Sequence, residues 1–128
     1  MTTRIVTDSS AILAIFFEES GRELVLPRVP YALICSVNMT EIITRLIDRG
    51  GQPLGAQAQL DQLALPVIDF DRGLAIQAGL LRATTRHKGL SLGDRACLAL
   101  AMREGLPVMT ADRAWSDLDL GVEVVLIR

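Results

Sequence analysis

Aromatic residues make up only 4% of this sequence, and a single lysine, Lys88, stands among its 13 basic residues. A core without aromatic bulk must be aliphatic, and a hydrophobic content of 50% supplies one. That composition excludes an intrinsically disordered chain. The one histidine, His87, excludes a multi-histidine zinc site, and the two cysteines, Cys35 and Cys97, form no CxxC pair. Both thiols lie in apolar runs and read as buried, reduced, small hydrophobes. The longest apolar runs, Ala11–Phe17 and Ala96–Met102, fall far short of the roughly 18 residues that span a bilayer. The first residues, Met-Thr-Thr-Arg, reach Asp8 without the apolar stretch of a secretory signal. A cytoplasmic protein with no membrane partner is expected. The net charge of -2 gives no bulk attraction to a polyanion, although every basic residue besides Lys88 is an arginine, the better bidentate phosphate ligand.

A length of 128 residues bounds the chain to one domain, 1–128. Short β-type runs alternate with helical patterns along it. Arg4–Thr7, Tyr31–Cys35, Pro66–Phe70, Pro107–Thr110 and Val122–Ile127 read as five strands, rich in Val, Ile and Leu. Between them, Ala11–Phe17 reads as a buried helix behind the capping oxygens of Asp8-Ser9-Ser10. Arg22–Leu26 reads as a short helical turn before Pro27 and Pro30. Ser36 is placed to cap a helix that runs to Asp48 and stops at Gly50-Gly51. Leu54–Ala64 is a weaker amphipathic helix. Asp71 caps a long one to about Arg86, expected to shape a dimer interface or a binding groove. Ser91 caps the most apolar helix, which runs to Glu104 and Gly105, and Arg113–Leu118 forms a helical turn. This alternation predicts a three-layer α/β/α domain around a central, mainly parallel five-stranded sheet.

Four acidic residues fall at the ends of these elements. Asp8 follows the first strand and Asp112 the fourth; Glu41 lies early in the helix after the second strand, and Asp94 in the first turn of the Ser91 helix. In a parallel sheet the carboxyl ends of the strands and the following helix starts share one edge, where ligands bind. Each carboxylate also has a plain structural use, as a helix cap or as a complement to a helix dipole. Gathered together they repel: two charges 4 Å apart cost about 4 kcal/mol at an effective dielectric of 20. Shared protons or a divalent cation relieve that repulsion. An oxygen-only ligand set suits Mg²⁺ or Mn²⁺, and such an ion supports phosphodiester hydrolysis.

The four positions resemble, in order and context, those of the PIN-domain ribonucleases, and most closely the VapC-type toxins of toxin–antitoxin pairs. The resemblance is carried by Ile5-Val6-Thr7-Asp8-Ser9-Ser10-Ala11, Val37-Asn38-Met39-Thr40-Glu41, Leu90-Ser91-Leu92-Gly93-Asp94-Arg95 and Thr110-Ala111-Asp112, with the tail from Leu120 to Arg128. It spans essentially the whole chain; each motif alone is unspecific, while their joint order is not. It implies a PIN-like sheet and a Mg²⁺- or Mn²⁺-dependent endoribonuclease acting on structured RNA. It implies Asp8, Glu41, Asp94 and Asp112 as catalytic and metal-binding residues, a homodimer, and an antitoxin partner. Asp117 is a further candidate acid, and Ser9 and Thr110 either support the carboxylates or cap locally.

Positive charge for an RNA face has to come from local groups. Arg82, Arg86, His87 and Lys88 form the densest basic cluster, and Arg95 and Arg113 each follow a proposed ligand directly. Arg86, Lys88, Arg95 and Arg113 are therefore candidate phosphate contacts, with helix-end solvation as the plain reading of the cluster. Arg45, four residues after Glu41, is placed to form an ion pair with it. Trp115 serves either base stacking or packing. Rival phosphatase, receiver or dinucleotide-binding readings fail on Ser10, on the position of Lys88, and on the lack of a Gly-rich first turn. The competing class is a catalytically silent PIN-like module that binds RNA or a protein partner; its mark would be a lost acidic ligand, and all four are present.

Overall fold

The computed structural model describes residues 3–128; the reading of the first residues as free of a secretory signal rests partly on Met1 and Thr2, which lie outside the described residues. The strands are β1 (Ile5–Thr7), β2 (Ala32–Cys35), β3 (Val67–Ile68), β4 (Val108–Thr110) and β5 (Val124–Leu126). They form one sheet in the order β3-β2-β1-β4-β5, and every neighbouring pair is parallel. The helices are α1 (Ser9–Phe16), α2 (Arg22–Val25), α3 (Ser36–Asp48), α4 (Pro53–Asp61), α5 (Arg72–Thr85) and α6 (Leu92–Glu104). Single 3-10 turns cover Leu26–Tyr31, Arg86–Lys88 and Arg113–Asp117.

Alternation along the strands sorts the core into two layers. Val6, Leu33, Cys35 and Val108 face α5, α6 and Trp115. Ile5, Ala32, Ile34 and Met109 face the buried sides of α1, α3 and α4. Both faces of β1, β2 and β4 are covered, which is why these strands read as near-continuous apolar runs, with Thr7 and Thr110 the buried polar residues at the ends of β1 and β4. Cys35 and Cys97 are free and buried, and Trp115 is fully buried as a packing residue. Among the described residues no helix is long and apolar enough to cross a membrane.

Local chemistry explains where the elements start and stop. Asp8, Asp71 and Ser91 cap α1, α5 and α6 with their side chains, as their sequence positions suggest. Ser36 does not cap α3: Cys35 holds that position, and the Ser36 hydroxyl accepts the backbone N–H of Phe70 at 2.9 Å. That bond draws Phe70 out of the ladder, and the Asp71 N–H turns back to the Asp69 carbonyl. The third strand therefore shrinks from the expected Pro66–Phe70 to two residues. On α5 only Leu74, Ala78 and Leu81 of the apolar set are buried, while Ile76 and Leu80 are 46% and 70% exposed. The helix lies on the sheet with one face and leaves the other unpacked.

β1 lies at the centre, with β2 and β4 on opposite sides, so the chain leaves β1 in one direction and returns beside it from the other. The crevice at the carboxyl end of such a strand is where α/β sheets bind ligands. Gly21, in the turn between α1 and α2, packs against the residue that follows β5: its φ is +98°, and a Cβ there would overlap the backbone of Ile127. Gly21→Ala is expected to cost on the order of 2–4 kcal/mol, from left-handed strain plus overpacking. Thermal melts of the two proteins check this.

Candidate metal centre

Asp8, Glu41, Asp94 and Asp112 line one cavity of about 360 Å³ at the carboxyl edge of the sheet. They arrive from four separate segments. Asp8 directly follows β1, Glu41 lies one turn into α3, Asp94 lies in the first turn of α6, and Asp112 follows β4 by two residues.

Asp8 is 4% exposed and is the most tightly held of the four. Its Oδ2 accepts the Thr110 hydroxyl at 2.6 Å, and its Oδ1 accepts the Ser10 hydroxyl at 2.7 Å and the Ala11 N–H at 3.0 Å. Those hydroxyls cannot turn away, because each in turn accepts a backbone N–H. Asp112 N–H donates to Thr110 at 3.0 Å and Ala111 N–H to Ser10 at 2.9 Å. Glu41 is held by a second set. Its Oε1 accepts the Ser9 hydroxyl at 2.5 Å and the Asn38 amide at 3.0 Å, and the same amide donates to the Gly93 carbonyl at 3.2 Å. The carboxylate lies where a Cβ on residue 93 would be. Asp94 turns one oxygen back to Ser91 N–H at 2.9 Å in a capping box, and Asp112 accepts Ala114 N–H at 2.9 Å.

Burial dominates the electrostatics. It pushes the Asp8 carboxyl from 3.8 up to about 6, against the Thr110, Ser10 and Ala11 hydrogen bonds that pull it down, with Asp94's charge a smaller upward contribution. Asp94 is raised first by burial, against its bonds to Ser91, and further by Asp112 and Glu41. Repulsion among carboxylates, the expected main cost, thus ranks behind desolvation.

Among the described residues no three Asp, Glu, His or Cys side chains form a ready-made cation cage. The donor set nevertheless fits a hard divalent cation. Glu41, Asp94 and Asp112 are each fixed through one oxygen, which leaves Glu41 Oε2, Asp94 Oδ1 and Asp112 Oδ2 without a hydrogen bond among the described residues. Mg²⁺ keeps several waters and needs few protein oxygens.

The expected supporting roles divide. Ser9 and Thr110 hydrogen-bond to carboxylates rather than merely capping. Asp117 does not join the cavity: it pairs with Lys88 at 2.5 Å, and that ammonium holds its carboxyl below the usual range. Lys88, Arg86, Arg95 and Arg113, the expected phosphate contacts, lie outside the cavity wall. Arg95 reaches toward α5, where its Nη1 donates to the Ala78 carbonyl at 3.0 Å. Arg86 and Arg113 are exposed. Arg45 forms no ion pair with Glu41, whose Oε1 is held by Ser9 and Asn38. It lines the cavity instead.

Sequence reasoning gave Ser10 only a capping oxygen and assigned no individual role to Asn38 or Gly93. Asn38 sits three residues before Glu41, on the same helix face. Gly93 is a glycine inside a helix, a choice that costs about 1 kcal/mol against alanine and so asks for a local reason.

Asp8 also sets a pH dependence. A carboxyl raised from 3.8 to about 6 adds stability below pH 4 that is lost as pH rises through 6. Asp8→Asn is expected to flatten that fall and to stabilise the metal-free protein at pH 8. The gain is roughly 2–3 kcal/mol, since one pKa unit is worth about 1.4 kcal/mol. Denaturant melts from pH 4 to 8 measure it.

The fold and the family have independent support. A DNA-bound VapBC from Salmonella typhimurium is similar with a TM-score of 0.75 at 22% identity, covering 99% of this chain and 100% of that one. A toxin–antitoxin complex from Klebsiella pneumoniae gives 0.75 at 16% identity, covering 97% and 98%. VapBC-5 from Mycobacterium tuberculosis gives 0.68 at 20% identity, covering 98% and 99%. At identities this low, the TM-scores show a shared fold alone. No curated protein matches in sequence. The PIN domain profile matches residues 5–120, so the chain belongs to the PIN domain family.

Proposed function

We propose that this PIN-domain protein is a metal-dependent endoribonuclease that hydrolyses RNA phosphodiester bonds. We assign it as the VapC-type toxin of a toxin–antitoxin pair, one that stops translation by cutting RNA. The observation that carries the reading is the meeting of Asp8, Glu41, Asp94 and Asp112 in one cavity at the switch point of a parallel sheet. Asp8 adds to it: a carboxyl buried at the end of the central strand and pushed up to about 6 is the kind of group that functional clefts hold, beyond its use as a cap for α1.

Asp8, Glu41, Asp94 and Asp112 would hold Mg²⁺ or Mn²⁺. Bound there, the ion would supply a water of lowered pKa and offset the charge that develops on the phosphoryl oxygens. The chain's own residues do the positioning. Thr110 and Ser10 fix the plane of the Asp8 carboxylate, and Ser9, Asn38 and Gly93 fix that of Glu41. The proton given up by the attacking water needs a carboxylate oxygen that neither accepts another hydrogen bond nor holds the ion, and whichever of Glu41 Oε2, Asp94 Oδ1 and Asp112 Oδ2 the ion would leave free meets that requirement.

The partners follow from the same reading: an RNA substrate, a cognate antitoxin and a second copy of the chain, all in the cytoplasm. The neighbouring solved structures are toxin–antitoxin complexes of nearly equal chain length, which supports a one-domain toxin over residues 1–128. Ile76 and Leu80 on α5, left in water, support a protein partner on that face.

Cleavage of RNA stem–loops is expected with Mg²⁺ or Mn²⁺ and not with chelator. Asp94→Asn is expected to lower it a hundredfold or more, since even groups that only orient a metal ligand cost about 10–100-fold. Cleavage that persists in chelator removes the metal from the reading. No cleavage and no Mn²⁺ binding leaves a silent binding module in its place. Gly93→Ala keeps every acid but evicts the Glu41 carboxylate from its seat. It is expected to weaken Mn²⁺ binding, by calorimetry, as much as Glu41→Gln does.

A further inference from the structure

A cavity that is to hold an RNA strand needs hydrogen-bond donors as well as a cation, because the phosphate oxygens only accept. Almost every side-chain donor on this wall is already committed. The Ser9 hydroxyl donates to Glu41 and that of Ser10 to Asp8. On α3, Thr40 donates to the Ser36 carbonyl at 3.2 Å and Thr44 to the Thr40 carbonyl at 2.8 Å. The Asn38 amide hydrogens go to Glu41 and to the Gly93 carbonyl. The four carboxylates and Leu13 have none to offer.

Arg45 is the exception. Among the described residues it is the one cation that lines the cavity, and its guanidinium makes no ion pair or hydrogen bond. It stands one helical turn beyond Glu41 on the same face of α3, about 6 Å further along the axis. The guanidinium fork matches a phosphate's oxygen pair better than any other side chain does.

We propose that Arg45 is the phosphate-binding side chain of this cavity, gripping the RNA backbone beside the phosphate that reaches the carboxylates. The proposal rests on the endoribonuclease reading and adds to it the direction in which the strand leaves the centre, along α3. It moves the phosphate contact from Lys88 and Arg95, which the fold engages elsewhere, to a residue whose sequence position suggested only an ion pair. The plain alternative is that Arg45, in the last turn of α3, only complements the helix dipole.

The test uses the full chain, its Arg45→Ala and Arg45→Lys variants, and a pool of RNA stem–loops with randomised loops. Binding is measured in the Asp94→Asn background with Mg²⁺ from 50 to 200 mM KCl, and cleavage in the otherwise unaltered chain. Loss of one phosphate contact is expected to lower the slope of log Kd against log salt by about 0.7–0.9 in Arg45→Ala. KM is expected to rise about tenfold with kcat changed less than threefold. Arg45→Lys is expected to keep most of the slope, since a point charge still releases counterions, and to recover KM in part. A helix-dipole role leaves the salt slope and KM unmoved, and that result, or a loss confined to kcat, overturns the proposal. If the unaltered chain neither binds nor cuts the pool, the nuclease reading falls and Arg45 with it. If it cuts while the Arg45→Ala slope stays the same, only the assignment of Arg45 falls.

Discussion

The carboxylate of Asp8, taken out of water at the end of the central strand, is the constraint around which the neighbouring structure is arranged. Leaving a charge there without partners is costly, and the chain surrounds it with two hydroxyls and one backbone N–H. The hydroxyls come from different segments, and each is oriented by a backbone N–H of the turn after β4. Register makes this possible. β1 pairs with β4 as Val6 with Val108 and Thr7 with Met109, which places Thr110 beside Asp8. A slip of one residue would carry Thr110 to the other face of the sheet. Pairing of the two central strands therefore also seats Thr110 against Asp8.

The same bonds give the cavity its chemical character. Every serine, threonine and asparagine on its wall spends its hydrogens on a carboxylate or a carbonyl. What remains facing the opening, Arg45 apart, is a set of acceptors. Desolvation, more than mutual repulsion, raises Asp8 and Asp94, so the cost is borne by each group where it sits and does not vanish when a neighbour moves. A species that binds the folded chain and favours the ionised carboxylates lowers that cost and stabilises the fold by mass action. A divalent cation has that character; a neutral ligand does not.

The layers of the fold were legible because their causes are local. Caps at Asp8, Asp71 and Ser91, the Gly50-Gly51 stop and the apolar strand runs each act within a few residues. The acids were legible because strand ends and helix starts share an edge in a parallel sheet. Long-range polar partners were not. Ser36 gave its hydroxyl to Phe70 instead of its own helix, Lys88 took Asp117, and Arg95 took a carbonyl of α5, across 34, 29 and 17 positions respectively. Asn38 and Gly93 stayed silent for the same reason: their roles consist of where Glu41 comes to rest. Arg45 was visible as a neighbour of Glu41 along α3, but its freedom became visible only once Ser9, 32 positions before Glu41, was seen to hold that carboxylate.

Rigidity is unevenly distributed across the site, and this bears on the order in which it fills. Asp94 rides on the first turn of α6, a helix buried from Ala96 to Ala101 against the sheet, and Asp8 and Glu41 are clamped by hydroxyls. A cation meeting these oxygens finds them already oriented, and little side-chain entropy remains to be lost. Arg45 is exposed and unpaired, so a strand gripped by it must pay the ordering cost of a long side chain, about 2 kcal/mol at most. On the proposed function, the centre favours the metal before the RNA. A divalent ion bound there would also offset part of the repulsion that four carboxylates present to a phosphate. On that reading, specificity for the polyanion would lie with the exposed arm of the cavity, while the clamped end would supply the chemistry.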